Sequence, residues 1–238
     1  FLFTALPMVG LAGALTAALY VPIGGVASYS YPGDLIVTIF LLSLLTICLG
    51  LAGSITISRF SLIGAVRTLT QLFCYEAPFL LAMLGPAIVT GSWRISDIVA
   101  YASGQIWLFI TQPIGFVIAM IGLMGKLELP PFDAPEAETE IVAGPLTEYS
   151  GRGLALFWLG KAIELVIGLT LIATFFLGGM SNLLVFFAKT IGLLLILAGL
   201  QSLFARLRID QVVGLWWRYG AILVLAQFLV MIVWKGVF

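Results

Sequence analysis

The sequence predicts an all-α protein: a polytopic transmembrane helix bundle with seven spans and a cytoplasmic acidic loop. Three observations lead there. The 238 residues are 62% hydrophobic and only 9% charged, against about 25% charged in an average soluble domain. Apolar runs of about 20 residues, enough to cross a hydrocarbon layer of roughly 30 Å, recur along the chain. Between two of them lies Lys126–Gly153, KLELPPFDAPEAETEIVAGPLTEYSGRG, which holds six of the eleven carboxylates.

The first span covers about Phe1–Ile23 and closes at Pro22 and Gly24-Gly25. After the turn SYSYPGD, Asp34 is placed to cap a second span over about Asp34–Ile57. A third, about Thr68–Val89, contains Glu76-Ala77-Pro78, and the amphipathic WRISDIVAYASG that follows suits an interface. The fourth is about Gln105–Gly125, the fifth about Leu154–Leu177, the sixth about Asn182–Phe204 and the seventh about Tyr219–Val237. The chain opens inside an apolar run without an initiator Met, so its true start is expected upstream of Phe1. The whole of 1–238 reads as one transmembrane domain, with 126–153 as its acidic connection.

Basic residues orient the bundle. With the start of the first span inside, Arg59, Arg67, Lys126, Arg152, Arg206, Arg208 and Arg218 fall in cytoplasmic segments, and only Arg94 and Lys235 at the outer face. By the positive-inside rule the acidic connection is cytoplasmic and the protein a multi-pass component of the cell membrane.

Within that connection, Pro130, Pro131 and Pro135 prevent a simple continuation of the fourth helix. Asp133 is placed as an N-cap with Glu136 three residues on, as in a capping box, and a short helix is expected over about Ala134–Ala143. On it Asp133, Glu136 and Glu140 would share one face, with Glu138 pointing elsewhere. Glu148 and Tyr149 follow before the fifth span. Such a cluster reads as a solvated loop, as a proton-exchanging group or as a dock for a basic partner; spacing alone does not choose.

Charges inside the apolar runs are more informative. Glu76 lies about nine residues into the third span, roughly 13 Å at 1.5 Å per residue. Glu164 is similarly deep in the fifth, and Lys161, three residues earlier, can share its face and pair with it. Each charge at the bilayer centre costs about 2.5–3.5 kcal/mol even on the permissive insertion scale, so these side chains should face the bundle interior. No base on its own helix is near enough to neutralise Glu76. Lys189, about seven residues from the outer end of the sixth span, can snorkel.

Net charge is zero and histidine is absent, which argues against nucleic acid as a partner. Cys48 and Cys74 lie singly in apolar runs and form no Cys/His cluster. No metal site is therefore expected on this chain. The lack of internal repeats weakens a stand-alone transporter built from inverted halves.

GKLELPPFDAPEAETEIVAGPLTEYSGRGLALF closely resembles the signature of subunit 1 of respiratory complex I and of its relatives in energy-converting group 4 NiFe hydrogenases. SRFSLIGAVRTLTQLFCYEAP and RLRIDQVVGLWW are similar to two further motifs of that family. The resemblance implies an eight-span fold and a subunit, without a catalytic centre of its own, that connects a peripheral redox arm to ion-translocating antiporter-like subunits. It implies a coupling path through Glu76, Glu136, Glu138, Glu140 and Glu148, with Arg67 and Asp210 near the junction. Asp133, Lys161 and Glu164 join the candidate path. Arg59, Tyr149, Arg152, Arg206 and Arg208 join the candidate partner interface. Implied partners are a NiFe-hydrogenase-like large subunit and iron–sulfur subunits, which would carry the NiFe centre and the clusters, together with the lipid bilayer. In ALFWLGK a lysine, Lys161, replaces a glutamate usual in complex I, and Gly144-Pro145 followed by LTEYSG looks more like the hydrogenase branch. A ferredoxin-linked hydrogenase-type complex is favoured; a quinone-chamber subunit or a sulfur-reducing relative is the alternative.

Overall fold

A computed structural model describes residues 2–23, 29–104, 108–178 and 182–237. Helices α1 (Leu2–Tyr20), α2 (Asp34–Ile55) and α3 (Arg59–Thr90) are followed by short α4 (Ile95–Gly104), α5 (Leu108–Thr111) and α6 (Pro113–Lys126). The connection then holds a 3-10 turn at Ala134–Glu136, the single turn α7 (Glu138–Ile141) and a second 3-10 turn at Gly144–Leu146. Helices α8 (Gly151–Phe176), α9 (Leu183–Leu203), α10 (Ile209–Leu215), a π turn at Trp216–Gly220 and α11 (Ala221–Val237) complete the chain. No strand occurs among the described residues.

Among the described residues six helical segments are long and apolar enough to cross a membrane: α1, α2, α3, α8, α9 and the run Ile209–Val233. The expected fourth span is the exception. Its described part is α6, whose 14 residues reach about 21 Å at 1.5 Å per residue. Pro113 lacks an N–H and disfavours helical backbone at the residue before it, and Gln112 accordingly leaves the helical region at φ −128° and ψ 55°. Residues 105–107, where that span was expected to begin, lie outside the described residues.

Helix α3 is the spine. Its 32 residues extend about 48 Å, well beyond a hydrocarbon layer of roughly 30 Å, so its first turns form a wall for the acidic connection. Small residues let neighbours approach it and each other. A Cβ on Gly122 of α6 would sit 2.8 Å from the Phe79 ring of α3, and one on Gly10 of α1 would sit 2.9 Å from Leu45 of α2. Asp34 does not cap α2 with its side chain; its carboxylate accepts the Ile95 N–H at 2.7 Å and ties the start of α2 to that of α4.

At the other end the connection folds back into the bundle. Gly144-Pro145 wedges between α2 and α3, where Ser61 donates its hydroxyl to the Pro145 carbonyl at 3.0 Å. A Cβ on Gly64 would meet the Pro145 nitrogen at 2.6 Å. The expected helix over 134–143 is absent as such, since Ala137 (φ −59°, ψ 82°) breaks it into the 3-10 turn and α7. Asp133 makes no side-chain cap bond. The common face expected of Asp133, Glu136 and Glu140 is lost with the helix.

Gly144 has φ +52°, and a Cβ there would lie 2.0 Å from the Pro135 carbonyl oxygen. Gly144→Ala is expected to destabilise the folded chain by at least about 1–3 kcal/mol, read as a lowered midpoint of thermal unfolding in detergent. Gly33→Ala is the control, because Gly33 also has positive φ but open space around its Cβ.

Candidate functional site

The site begins where α6 ends. Leu129 N–H donates to the Met124 carbonyl at 3.0 Å and Glu128 N–H to that of Gly125 at 3.3 Å, the bond pair of a Schellman stop. The residue at the reversal is usually glycine; here it is Glu128, at φ 55°. A non-glycine residue held there costs about 1–3 kcal/mol. The reversal turns the Glu128 side chain inward, where it is 1% exposed. Its carboxylate accepts the Thr68 hydroxyl at 3.0 Å and the Lys161 ammonium at 2.7 Å. Burial pushes the Glu128 carboxyl above its ordinary value, against the opposing pull of Lys161.

Lys161 was expected to pair with Glu164. Instead its ammonium lies between Glu128 and Glu136, the latter at 2.5 Å, so α8 is clamped to the connection at two points. Glu164 faces a second lysine. Lys126, counted from sequence among the loop charges, occupies the last turn of α6 with its side chain fully buried. It lies 3.3 Å from Glu76 and 3.8 Å from Glu164. Its ammonium also donates to Ser43 at 3.3 Å, and the Ser43 hydroxyl donates to the other Glu76 oxygen. The Tyr75 and Phe79 rings flank this ammonium, with centroids 5.6 and 5.8 Å away. Glu76, with no base near enough on its own helix, thus takes one from α6.

Toward the surface Arg67 of α3, Ser58 just before that helix and Arg206, between α9 and α10, hold the connection. Arg67 bridges Glu140 at 2.8 Å and holds its carboxyl below the ordinary value. Arg206 donates to the Asp133 carboxylate at 2.9 Å and to its carbonyl at 2.8 Å. Glu148 accepts the Ser58 N–H at 2.8 Å at the start of α3. Tyr149, expected at a partner surface, is buried. It stacks on Phe3 at 4.1 Å between centroids, donates its hydroxyl to the Phe3 carbonyl at 2.9 Å, and has its phenol pushed up to about 12 by burial. Arg59, Arg152, Arg208 and Asp210 are exposed. The side chain of Glu138 lies outside the described residues. Lys189 donates to the Gly178 carbonyl at 3.4 Å.

Two cavities meet this series. One of about 630 Å³ has Leu129, Trp158 and Leu165 on its walls and Glu128, Lys161 and Arg206 among its polar groups. The other, about 690 Å³, lies between α2 and α3, is lined by apolar side chains such as Phe40 and Phe73, and has Ser43 and Glu76 as its polar spot. Ionisable groups therefore run from exposed Glu140 and half-buried Glu136, through Lys161 and Glu128, to Glu164, Lys126 and Glu76. Lys161 and Glu164 stand one turn apart on α8. Among the described residues no three His, Cys, Asp or Glu side chains are arranged to hold a metal ion.

Sequence reasoning missed Lys126, Glu128, Ser43 and Thr68 as members of this series. For Glu128 a signal existed: Leu127 and Leu129 flank it in a stretch otherwise polar enough for solvent. Lys126 closes an apolar run, a position that reads equally as a buried or a solvated charge.

Lys161→Met should cost about 3–5 kcal/mol of stability by leaving buried Glu128 without its counter-charge, and adding Glu128→Gln should recover most of that loss; chemical denaturation in detergent reads both. The Glu140 carboxyl is depressed in the folded state. Its bridge therefore contributes fully above the ordinary carboxylate pKa and is lost as pH falls through the folded-state value. Hydrogen exchange across 134–146 should show that acid-side loosening in the native chain and not in Glu140→Gln.

A model of the NADH dehydrogenase family matches residues 1–232. The chain is 35% identical over 211 residues to a subunit of the NADH-quinone oxidoreductase of Carboxydothermus hydrogenoformans, covering 84% of this chain and 60% of that protein. It is 36% identical over 177 residues to a subunit of the F(420)H(2) dehydrogenase of Methanosarcina mazei, covering 68% and 50%. The chain thus spans about half to three-fifths of the length of these relatives. In fold it is similar, at a TM-score of 0.91 and 24% identity, to a chain of the membrane-bound sulfane sulfur reductase, an archaeal respiratory membrane complex, over 97% of this chain and 80% of that one. The apolar helices make it an integral membrane protein, and its relatives are subunits of oxidoreductase complexes. The chain belongs to the NADH dehydrogenase family.

Proposed function

We propose that the chain is the coupling subunit of a redox-driven ion pump: it receives a charge change from a peripheral electron-transfer arm docked on the cytoplasmic side and passes it to ion-translocating membrane subunits. One observation carries the proposal, the series of ionisable side chains from Glu140 and Glu136 at one end of the bundle to Glu76 at the α2–α3 cavity. A merely solvated loop would not bury Glu128, nor spend a positive-φ backbone position on it. Separate helices or segments hold Asp133, Glu136 and Glu140 through Arg206, Lys161 and Arg67, so displacement of the connection alters several ion pairs together. Release of Glu136 leaves Lys161 to Glu128 alone, and the freed charge is then felt one turn deeper, at Glu164.

The arm itself is assigned to partner chains, which would carry the NiFe centre and iron–sulfur clusters of a ferredoxin-oxidising, hydrogenase-type complex. Antiporter-like subunits would take up the signal near Glu76. Exposed Arg59, Arg152, Arg208 and Asp210 supply charges for docking the arm.

A second reading, a chamber for quinone, is favoured by the 630 Å³ cavity, whose apolar walls end in the donors Lys161 and Arg206. Metal analysis and activity of the purified complex separate the two: nickel with hydrogen evolution from reduced ferredoxin is expected under the first, and iron without nickel, with quinone reduction, under the second. Under either, Glu76→Gln is expected to leave electron transfer running while ion translocation per electron, measured in proteoliposomes, falls to a small fraction. Full coupling in Glu76→Gln and in a variant neutralised at Glu136 and Glu140 would overturn the coupling role.

A further inference from the structure

Lys126 faces two carboxylates and satisfies one. Its ammonium is within hydrogen-bonding distance of Glu76 and Ser43, both at 3.3 Å, but stands 3.8 Å from Glu164, beyond a hydrogen bond. That Glu164 oxygen is buried and accepts no hydrogen bond, and the side chain is 1% exposed. An ionised carboxylate held so would forfeit the solvation of a full charge with one partner at arm's length, whereas a neutral carboxyl group forfeits far less. Glu76 is the opposite case: one oxygen accepts from Ser43, the other from Lys126, and it remains partly exposed to the α2–α3 cavity.

We propose that Lys126 is a movable counter-charge whose position decides which of two carboxyl groups, Glu164 or Glu76, holds a proton. In the arrangement seen, the proton resides on Glu164 and Lys126 neutralises Glu76. When Lys126 moves to Glu164, the O–H bond of Glu164 breaks, a new O–H bond forms on Glu76, and the charge of the three groups is unchanged throughout. The displacement needed is small, since the two separations differ by 0.5 Å, the difference between 3.8 and 3.3 Å. The Tyr75 and Phe79 rings, nearly equidistant from the ammonium, offer it a cationic contact without an anion that would trap it.

The groups around Glu164 make the switch responsive. Lys126 faces it from α6, Glu76 and Tyr75 from α3, Lys161 from its own helix and Glu128 from the reversal after α6. Lys161 is shared with Glu136 of the connection, so a shift of the connection changes the field at Glu164 and with it the balance between the two lysine positions. The proposal rests on the coupling role above and names the proton-bearing groups within it.

Infrared difference spectroscopy on the purified complex containing the full chain tests it, with spectra taken at rest and after reduction. At rest, a carboxylic-acid C=O band should be present that is lost in Glu164→Gln, shifted in Glu164→Asp and retained in Glu76→Gln. After reduction, the wild-type band should give way to one that is lost in Glu76→Gln. Lys126→Met should show two protonated-carboxyl bands at rest and no exchange between them. A resting band unaffected by both Glu164 variants, or exchange in Lys126→Met equal to that of the wild type, would overturn the switch. A failed switch with translocation still lost in Glu76→Gln leaves the coupling role intact, while the expected band exchange in the wild type, with full translocation both in Glu76→Gln and in the variant neutralised at Glu136 and Glu140, sinks the coupling role alone.

Discussion

The Lys161 ammonium, held between Glu128 at 2.7 Å and Glu136 at 2.5 Å, is the interaction on which the rest of this end of the bundle depends. It joins the transmembrane body of α8 to both ends of the prolyl stretch 128–136. Opposite charges at such separations attract by about 6 kcal/mol at an effective dielectric constant near 20, while taking each ion out of water costs several kcal/mol. The two nearly cancel. A triad of this kind is a weak source of stability and a sensitive register of any charge placed beside it.

Two lysines serve four buried or half-buried carboxyl groups, Lys161 with Glu128 and Glu136 and Lys126 with Glu76 and Glu164. The carboxyl groups outnumber the lysines by two, so each ammonium is shared rather than matched to one partner. The helices make this possible by their packing. Glycines at 122, 125 and 168 bring α6 close to α3 and α8, and α6 ends early enough for Lys126 and Glu128 to lie inside the bundle. The wedge of Gly144-Pro145 between α2 and α3 anchors the far end of the connection, so that Glu140 and Glu148 reach Arg67 and Ser58.

Backbone and charge work together at Glu128. A glycine would complete the helix stop at no conformational cost, yet would leave Thr68 without its acceptor and Lys161 with Glu136 alone. The strain at that position is localised where the bundle needs an inward-facing carboxylate.

The all-α bundle, most of its spans and the placement of the carboxylates at one end were legible in the sequence, because apolar run length and the hydrocarbon thickness are one-dimensional quantities. The family motifs were legible for the same reason. Pairing was not. Lys161 and Glu164 share a helix face and invite a pair, but the tertiary structure gives each a partner from elsewhere: Glu128 and Glu136 for the first, Lys126 for the second. The capping box at Asp133 and Glu136 was a sound local pattern that lost to Arg206 and Lys161, whose charges outweigh one backbone N–H. Sequence by itself determined that this chain spans a membrane and carries charge into it. Only the fold decided which charges meet, because that depends on where α6 stops, how closely glycines let it approach α3, and which way one strained glutamate turns.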